Sequence, residues 1–566
     1  MLGRTEFPLI GERTYTVTLA PYGFYWFKLL EKPASPHDTP TLAPEVETLV
    51  IPTGSTWESL GRTRGVFDRD VLPPYLGRAR WFEGHGDASI SASVAGAVPF
   101  ADSSDNTAIP WLAIIDTHKP HAGRYLIPMQ IDWQKFDRER YNPQALSAVR
   151  QSSREGTLVD VAPDPAFIAL LLDNMRTNTS TEALGFRLEF KATARLGKKP
   201  LKPVTSVRTI ETGHSSTTLH VDDRFVVKLQ RKLEAGVDPE IEIGSFLTGV
   251  AGFANTPALL GTVKLVHDGH RTAVASVHEF VQNQGDAWAV TAAYLDRFID
   301  DQRVIASTGA AHDSDEQVSY QRYMTQAGMR IAEMQTALAS RDDIEDFRPE
   351  PATAASTTRL VDDAISRAEQ LCERLTQARD KMPEAERALA DRILGAGTQL
   401  RARFEELLKL SPDWVDIRHH GDFHLGQMLV VKDDIFIVNL EGEPHRALAD
   451  RRRKAPAARD VAGVLRSIDY SVAVALERAL KVSADDQGKL ATALEHWRDQ
   501  SIATFLAAYH EGLGEKRLWP ETPQASECML RFFELERALY EIDYELSNRP
   551  DWVRLPMNAA LRLIEG

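Results

Sequence analysis

Residues 418–427 are Arg-His-His-Gly-Asp-Phe-His-Leu-Gly-Gln, and the alternating apolar residues that follow predict a β-hairpin over 427–440. A loop at the end of a strand can hold a carboxylate in a fixed position, and Asp422 is the carboxylate of this loop. Side chains around the hairpin offer oxygen atoms to a hard cation such as Mg²⁺; these are Gln427, Asn439 and Glu441. An acceptor-orienting Asp with oxygen ligands on neighbouring elements is the arrangement that phosphoryl transfer needs.

Two other interpretations of this loop are open. A His-Gly-Asp stretch also occurs as a buried polar turn with locally bonded histidines, and short motifs produce many false matches. The histidines of the loop, His419, His420 and His424, could ligate zinc, but no fourth ligand follows at a matching spacing. Phosphoryl transfer is favoured if a second element, suited to the phosphates of ATP, accompanies the loop.

A candidate for this second element lies N-terminal to the loop. The stretch 212–218 is rich in small and hydroxyl residues, so backbone N–H groups can approach phosphate oxygens there. Lys228 ends the next predicted strand, and Glu242 follows in a predicted helix, as in the lysine–glutamate pair of kinases. No GxxxxGKS/T stretch occurs, which disfavours a P-loop ATPase. The positions expected to meet phosphate are Ser215, Ser216 and Thr217.

The composition narrows the class of protein. The chain has 566 residues, 66 of them Lys or Arg and 81 Asp or Glu, so its formal net charge is −15. That sign disfavours nucleic-acid binding, which needs a positive surface. Two cysteines without a CxxC spacing exclude a disulfide framework, and neither a signal peptide nor a long apolar run is present. We expect a cytoplasmic protein that binds neither nucleic acid nor membrane.

Hydrophobic periodicity divides the chain into a β-rich part and a helical part. Strands are predicted at 111–115, at 125–129 and in three pieces across 203–228, with short helices at 164–176 and 181–186. Beyond about residue 290 helices dominate, and they are predicted at 358–380, 384–409, 457–480, 486–512 and 527–547. This order predicts two lobes with a ligand-binding cleft.

Several segments carry a resemblance to a known family. They are Leu72-Pro73-Pro74-Tyr75-Leu76 with Arg80-Trp81-Phe82, residues 228–233 with Asp238-Pro239-Glu240, residues 279–288, Glu441-Gly442-Glu443-Pro444, residues 459–463, and Asn548-Arg549-Pro550-Asp551-Trp552. Together with the Asp422 loop they make the chain resemble the maltokinases, members of the aminoglycoside-phosphotransferase-like kinases, over about residues 65–566. Residues 1–30 are similar to the last strands of the amylase-type domain of trehalose synthase.

The resemblance implies an α+β, protein-kinase-like bilobal fold with an N-terminal mixed α/β cap domain and a mostly helical C-terminal lobe. It implies these divisions: a β-hairpin remnant at 1–30, a Pro-rich linker at 31–64, the cap at 65–200, part of the ATP-binding N-lobe at 201–289, and a helical C-lobe with the catalytic loop and sugar site at 290–566. It also implies transfer of the ATP γ-phosphate, with Mg²⁺, to the anomeric hydroxyl of maltose. The product would be α-maltose 1-phosphate, on the route from trehalose to α-glucans such as glycogen.

The resemblance also implies roles for single residues. Asp422 matches the catalytic Asp, Gln427 a metal ligand, and Lys228 the phosphate-binding lysine with Glu242 as its partner. Backbone groups near Glu279 and Val281 would contact adenine. The candidates for the sugar site are His420, Tyr540, Glu541, Tyr544, Glu545 and Arg549, because aromatic faces suit sugar C–H surfaces and carboxylates suit hydroxyl groups.

One residue departs from the family pattern. The maltokinases usually carry a metal-binding Asp where this chain has Asn439, two residues before Glu441. An amide oxygen lacks the charge that attracts a divalent cation. Alternatives to an active maltokinase are therefore a weakened kinase, a pseudokinase that partners a separate trehalose synthase, and a related sugar or aminoglycoside kinase.

Overall fold

The computed structural model describes residues 47–51, 61–87, 89–101, 109–133, 144–197, 199–212, 215–308, 315–444, 446–482 and 487–566. The predicted hairpin at 1–30 lies outside these residues, as does most of the predicted linker. Where the linker is described, the strand Thr48–Val50 pairs in parallel with residues 148–150. No helix in the described part of the chain is long and apolar enough to cross a membrane.

Contacts divide the chain into two compact units. Among the described residues, the first unit contains those between 47 and 242 and Pro257–Val281, and the second unit contains Ile243–Thr256 and those between 282 and 566. The boundary falls inside the helix Pro239–Phe246. Each unit has its own hydrophobic core, β-rich in the first and helical in the second.

The first unit contains two sheets. The six-stranded sheet has the order Thr48–Val50, Ala145–Gln151, Arg154–Asp160, Gly123–Asp132, Trp111–Thr117 and Ala92–Pro99. The seven-stranded sheet has the order Ser180–Ala183, Phe186–Ala192, Leu259–His267, His270–Glu279, Phe225–Gln230, Ser216–Val221 and Val207–Thr212. The prediction of a short helix at 181–186 is wrong, because buried residues alternate there in two antiparallel strands. The predicted boundary at residue 200 falls between strands of this one sheet.

The helices of the first unit are short apart from one. They are Gly61–Val66, the π-helix Phe67–Val71, Leu72–Arg78 and Pro165–Thr177. The last begins where Asp164 accepts a hydrogen bond from the backbone of Ala166, with Pro165 at its first position. Its buried face, including Phe167 and Leu171, packs into a core with residues of both sheets.

The second unit is mostly helical, as predicted. Its α-helices are Ala287–Thr308, Asp315–Leu338, Ala354–Ala378, Glu384–Gly395, Gly397–Glu405, Leu448–Arg451, Ala458–Val482, Gln487–Leu513, Pro523–Asn548 and Arg554–Glu565. Shorter turns are the π-helix Leu247–Ala251 and the 3₁₀-helices Arg379–Lys381, Glu406–Lys409, Leu425–Gln427 and Pro550–Trp552. The helix predicted at 384–409 is interrupted at Ala396, between two glycines.

Two small β elements flank the loop 418–427. Before it, Val415–Ile417 is the central strand between Glu350–Pro351 and Ala455–Pro456. After it, Met428–Val431 and Asp434–Ile437 form the predicted antiparallel hairpin. Because both ends of the loop are tied to strands, its position in the second unit is fixed from both sides.

Candidate active site

The loop that carries Asp422 is held by a buried carboxylate, Asp460, which is 1% exposed. Asp460 lies in the first turn of the helix Ala458–Val482. Its Oδ2 accepts a hydrogen bond from the N–H of His420 and its Oδ1 accepts one from the N–H of Gly421, both at 2.9 Å. Two hydrogen bonds to this one carboxylate fix the backbone just before the predicted catalytic residue.

Two glycines allow the close packing around this loop. Gly421 has φ +89°, a conformation that side chains of L-residues rarely adopt. Gly463, one turn into the helix, approaches the loop so closely that a Cβ atom there would lie 2.2 Å from the carbonyl oxygen of Phe423. The loop and the helix therefore form one rigid support for Asp422.

The carboxylate of Asp422 has a guanidinium partner that the sequence did not indicate. Its Oδ1 accepts a hydrogen bond from Arg537 Nη1 at 2.6 Å, and both side chains are 15% exposed. Burial alone would raise the pKa of Asp422, but the charge of Arg537, its hydrogen bond and the neighbouring His424 and His420 together outweigh burial, so the pKa is lowered. Asp422 is therefore ionised at neutral pH, and its Oδ2 accepts no hydrogen bond from the residues described.

Two of the three histidines of the loop, His420 and His424, have partners in the chain rather than a common ligand. His420 is 1% exposed, with Nε2 2.8 Å from the carbonyl of Val438 and Nδ1 3.4 Å from the N–H of Asp422. His424 Nδ1 accepts a hydrogen bond from the Gly426 N–H, and burial lowers the pKa of His424 to about 4. No group of three His, Cys, Asp or Glu side chains in the described ranges could hold a metal ion, so the zinc alternative gains no support.

The predicted magnesium ligands lie together at the base of the hairpin. Asn439 Nδ2 donates to Gln427 Oε1 at 2.7 Å, and Gln427 Nε2 lies 3.1 Å from His424 Nε2. Asn439 has φ +60°, which Asn adopts more readily than most residues. Glu441 is half-buried in the following turn. Amide oxygens are of the donor type that Mg²⁺ takes but supply no charge, so the pair fits a weak site completed by substrate phosphates.

Five of the six predicted sugar-site residues share one stretch of the helix Pro523–Asn548 and its C-cap, whereas His420 lies in the Asp422 loop. The rings of Tyr540 and Tyr544 are 6.4 Å apart, and the guanidinium of Arg537 lies 4.8 Å from the ring centre of Tyr540. Arg537 also contacts Asp422, so this face of the helix adjoins the predicted catalytic residue. Burial is the main cause that raises the pKa of Tyr540, and the charge of Asp422 is the second. The structure thus brings the predicted catalytic residue and part of the predicted sugar site together.

The carboxylates of this face are already engaged within the chain. Glu541 pairs with Arg466 at 2.6 Å. Glu545 is 2% exposed, accepts from Arg549 at 2.6 Å and from the hydroxyl of Tyr470 at 3.0 Å. A sugar that binds here would compete with these ion pairs or use their remaining oxygen atoms.

In the first unit, Lys228 has an acidic neighbour at the predicted helix. Lys228 is 5% exposed on the strand Phe225–Gln230, and its Nζ lies 3.7 Å from Glu240 Oε2. The other oxygen of Glu240 is 3.4 Å from Nε2 of His278, whose pKa is lowered by burial. Sequence reasoning named Glu242, which is half-buried in the same helix, and missed Glu240 and His278.

The remaining predicted nucleotide contacts also lie in the first unit. Ser216 and Thr217 are buried in a strand, and the Thr217 hydroxyl accepts from Arg231 Nε at 3.0 Å. The carbonyl of Ser215 accepts the N–H of Arg231 at 2.7 Å. Glu279 ends its strand with its N–H bonded to a carbonyl at 2.9 Å, and Val281 follows, half-buried. The roles of these residues stay predictions.

Comparisons with known proteins show which proteins this chain is similar to. No family model matches the chain. A glucosamine kinase of Streptacidiphilus jiangxiensis is 27% identical over 358 residues, 62% of this chain and 72% of that protein. A glucosamine kinase of Mycolicibacterium smegmatis is 25% identical over 369 residues, 63% of this chain and 79% of that protein. The structure of a glucosamine kinase in complex with glucosamine, ADP and inorganic phosphate aligns with a TM-score of 0.55 at 20% identity, covering 83% of this chain and 93% of that chain.

These comparisons confirm the predicted fold class, a kinase-like α+β fold with a sheet-rich N-terminal part and a helical C-terminal part. They also confirm the prediction of an ATP-dependent carbohydrate kinase. Maltose as the acceptor, the trehalose synthase remnant and partner, the cytoplasmic location and the roles of single site residues stay predictions.

Proposed function

We propose that this chain transfers the γ-phosphate of ATP to a hydroxyl group of glucosamine or a closely related monosaccharide. The observation that carries the proposal is the double fixation of Asp422, whose loop is held by Asp460 and whose carboxylate is held by Arg537. A carboxylate fixed in this way can orient an acceptor hydroxyl. The names of the two relatives support glucosamine as the first acceptor to test.

Asp422 would act mainly by orientation. The acceptor hydroxyl donates to Oδ2 of Asp422, its oxygen forms a bond to the γ-phosphorus, and the bond from that phosphorus to the departing ADP oxygen breaks. The hydroxyl proton passes to Asp422. A carboxylate with a lowered pKa is a weak base, which suits a loose transition state in which the proton leaves late.

Charge on the phosphates would be offset by Lys228 and by a metal ion. Glu240 restricts the ammonium group of Lys228 to one side of its strand, which prepares it for a phosphate oxygen. Mg²⁺ held by Gln427 and Asn439 together with the phosphates would neutralise further charge. Because the two amides bring no charge of their own, we expect a high magnesium requirement.

The acceptor would bind along the helix face next to Asp422. Tyr540 and Tyr544 offer aromatic surface to sugar C–H groups, and Glu541 can accept from sugar hydroxyls. The segments that resemble the maltokinases, including residues 279–288 and 548–552, make maltose a second candidate.

The test is ADP release in a coupled assay at millimolar Mg²⁺ with glucosamine, glucose, maltose, trehalose and kanamycin as separate acceptors. We expect glucosamine to give the highest kcat/KM, by about tenfold or more over maltose. A reversed order would select the second candidate. No acceptor-dependent ADP release would refute a kinase activity, and retained ATP binding in that case would favour the pseudokinase alternative.

A further inference from the structure

A cavity of about 320 Å³ lies in the second unit beside the Asp422 loop. Its walls are formed by the first half of the helix Ala354–Ala378, by the strand Val415–Ile417 with the residue that precedes it, and by residues between 442 and 459. The loop contributes His419 and Gly421, whereas Asp422 itself does not line the cavity. The volume is within the range of small-molecule sites.

The lining of this cavity is basic although the chain is acidic. Eight of the lining side chains are Arg or Lys and five are Asp or Glu. Two further carboxylates, Glu536 and Asp346, pair with lining arginines from outside, which leaves one excess positive charge on a chain with a net charge of −15. Half of the basic residues come from the run Arg451-Arg452-Arg453-Lys454, which the phosphoryl-transfer mechanism does not use. A concave surface with this excess attracts anions.

The inner wall concentrates this charge away from solvent. Arg446 and Arg459 approach the carboxylate of Glu536 at 3.3 and 3.2 Å, and Arg367 also pairs with it. Glu443, which pairs with Arg446, is the second carboxylate of this wall, so three guanidinium groups meet two carboxylates. Burial and then repulsion from Arg446 lower the pKa of Arg459. The wall therefore carries one positive charge that the carboxylates in this cluster do not neutralise.

A buried nitrogen atom in the wall independently indicates a ligand. His419 is 5% exposed, and its Nδ1 has no hydrogen-bond partner among the residues that the structure describes. Burial lowers the pKa of His419 to about 4, so the ring is neutral at neutral pH. Leaving a buried polar atom unsatisfied destabilises the fold, and a ligand with donor and acceptor atoms would satisfy this nitrogen.

We propose that this cavity binds a phosphate monoester of the size of a sugar phosphate. Guanidinium groups bind phosphate in a bidentate geometry, and the positive charge of the wall that the carboxylates do not neutralise attracts its anionic oxygen atoms. Ser356 and Thr357 line the cavity in the first turn of the helix Ala354–Ala378, so the positive end of the helix dipole faces the bound anion. A ligand there would contact the same loop that carries Asp422.

Arg359 is the residue of choice for a test. It lines the cavity, is exposed, and forms no ion pair with any residue in the described ranges, so its removal leaves no carboxylate unpaired. Arg453 lines the cavity as well and pairs with Asp363 at 2.7 Å near the surface. Arg401 is the matched control, because it is an exposed arginine that pairs with Glu369 outside the cavity.

Titration calorimetry of the full chain at about 150 mM NaCl tests the proposal with glucose 6-phosphate, inorganic phosphate and citrate. A saturating non-hydrolysable ATP analogue fills the nucleotide site during the titration. We expect one site for glucose 6-phosphate, weakened about tenfold or more in R359Q/R453Q and unchanged in R401Q. If inorganic phosphate binds as tightly as glucose 6-phosphate, the cavity recognises the phosphate group itself, and free phosphate is then its ligand.

Three results would overturn the proposal. They are the absence of binding, unchanged affinity in R359Q/R453Q, and tighter binding of citrate than of either phosphate compound. Thermal melting of each variant shows that the loss of affinity does not come from unfolding. If the double variant melts early, R359Q alone replaces it, since Arg359 forms no ion pair with the described residues. The affinity of R359Q for glucose 6-phosphate is then expected to fall relative to that of R401Q.

Discussion

Replacing Arg537 by Gln removes the charged partner of Asp422 and tests the electrostatics of the site. The two side chains are 15% exposed and 2.6 Å apart, so the carboxylate would stay mostly buried without its counter-charge. Breaking a buried ion pair costs about 3–5 kcal/mol, and the remaining exposure reduces our expectation to about 2–3 kcal/mol of unfolding free energy.

The same replacement should change the pH dependence of activity. The pKa of Asp422 is lowered in the folded protein, so its contribution to stability is present above its ordinary pKa and is lost as pH falls through the lowered value. Without Arg537, burial raises the pKa of Asp422 and protonation begins at higher pH. The acidic limb of the kcat/KM profile should therefore shift to higher pH in R537Q.

The assay is ADP release with the preferred acceptor across pH, combined with chemical unfolding of each variant. R531Q is the control, because Arg531 lies on the same helix and forms an exposed pair with Glu527 at 2.6 Å. Such surface pairs contribute about 0–1 kcal/mol, so R531Q should behave as wild type. An unshifted acidic limb together with unchanged stability in R537Q would refute the reasoning.

Three further outcomes are expected. N439D should lower the Mg²⁺ concentration for half-maximal ADP release, because a carboxylate adds charge beside Gln427; an unchanged or higher requirement would contradict a metal site there. E240Q should raise the KM for ATP about tenfold, since Lys228 loses its charged neighbour, and E242Q should raise it less. Equal effects of the two replacements would contradict Glu240 as the partner of Lys228. E534Q should stabilise the protein by up to about 3 kcal/mol at pH 8 and hardly at pH 4, because burial raises the pKa of Glu534 from 4.5 to about 7 and its ionised form is penalised only at the higher pH. Unfolding curves that shift equally at both pH values would contradict this assignment.

Much of the fold follows from local patterns in the sequence. The hairpin after the Asp422 loop and the long C-terminal helices were predictable, because turn residues and apolar spacing act over a few residues. The segment 181–186 was not, because it holds only part of the four-residue strand Ser180–Ala183, a turn and the first residue of Phe186–Ala192, too short an alternation to distinguish it from a helical turn. Its strand conformation depends on pairing within the seven-stranded sheet.

The electrostatic partners in the site could not be predicted in the same way. Arg537 is 115 residues from Asp422 in the chain, and no local signal links the two. Glu240 and Glu242 both belong to the segment Pro-Glu-Ile-Glu-Ile, and their spacing of two places them on different faces of the helix. Only the packed structure shows that Glu240 is the buried one, at 5% exposed.

The central claim is that Asp422 performs phosphoryl transfer, and ADP release by D422N tests it most directly. The matched control is D433N, which removes a carboxylate from the exposed turn of the neighbouring hairpin. We predict that D422N lowers kcat by about a thousandfold or more while binding a fluorescent ATP analogue as wild type does, and that D433N keeps full activity. D422N that folds, binds nucleotide and turns over at the wild-type rate would contradict the account.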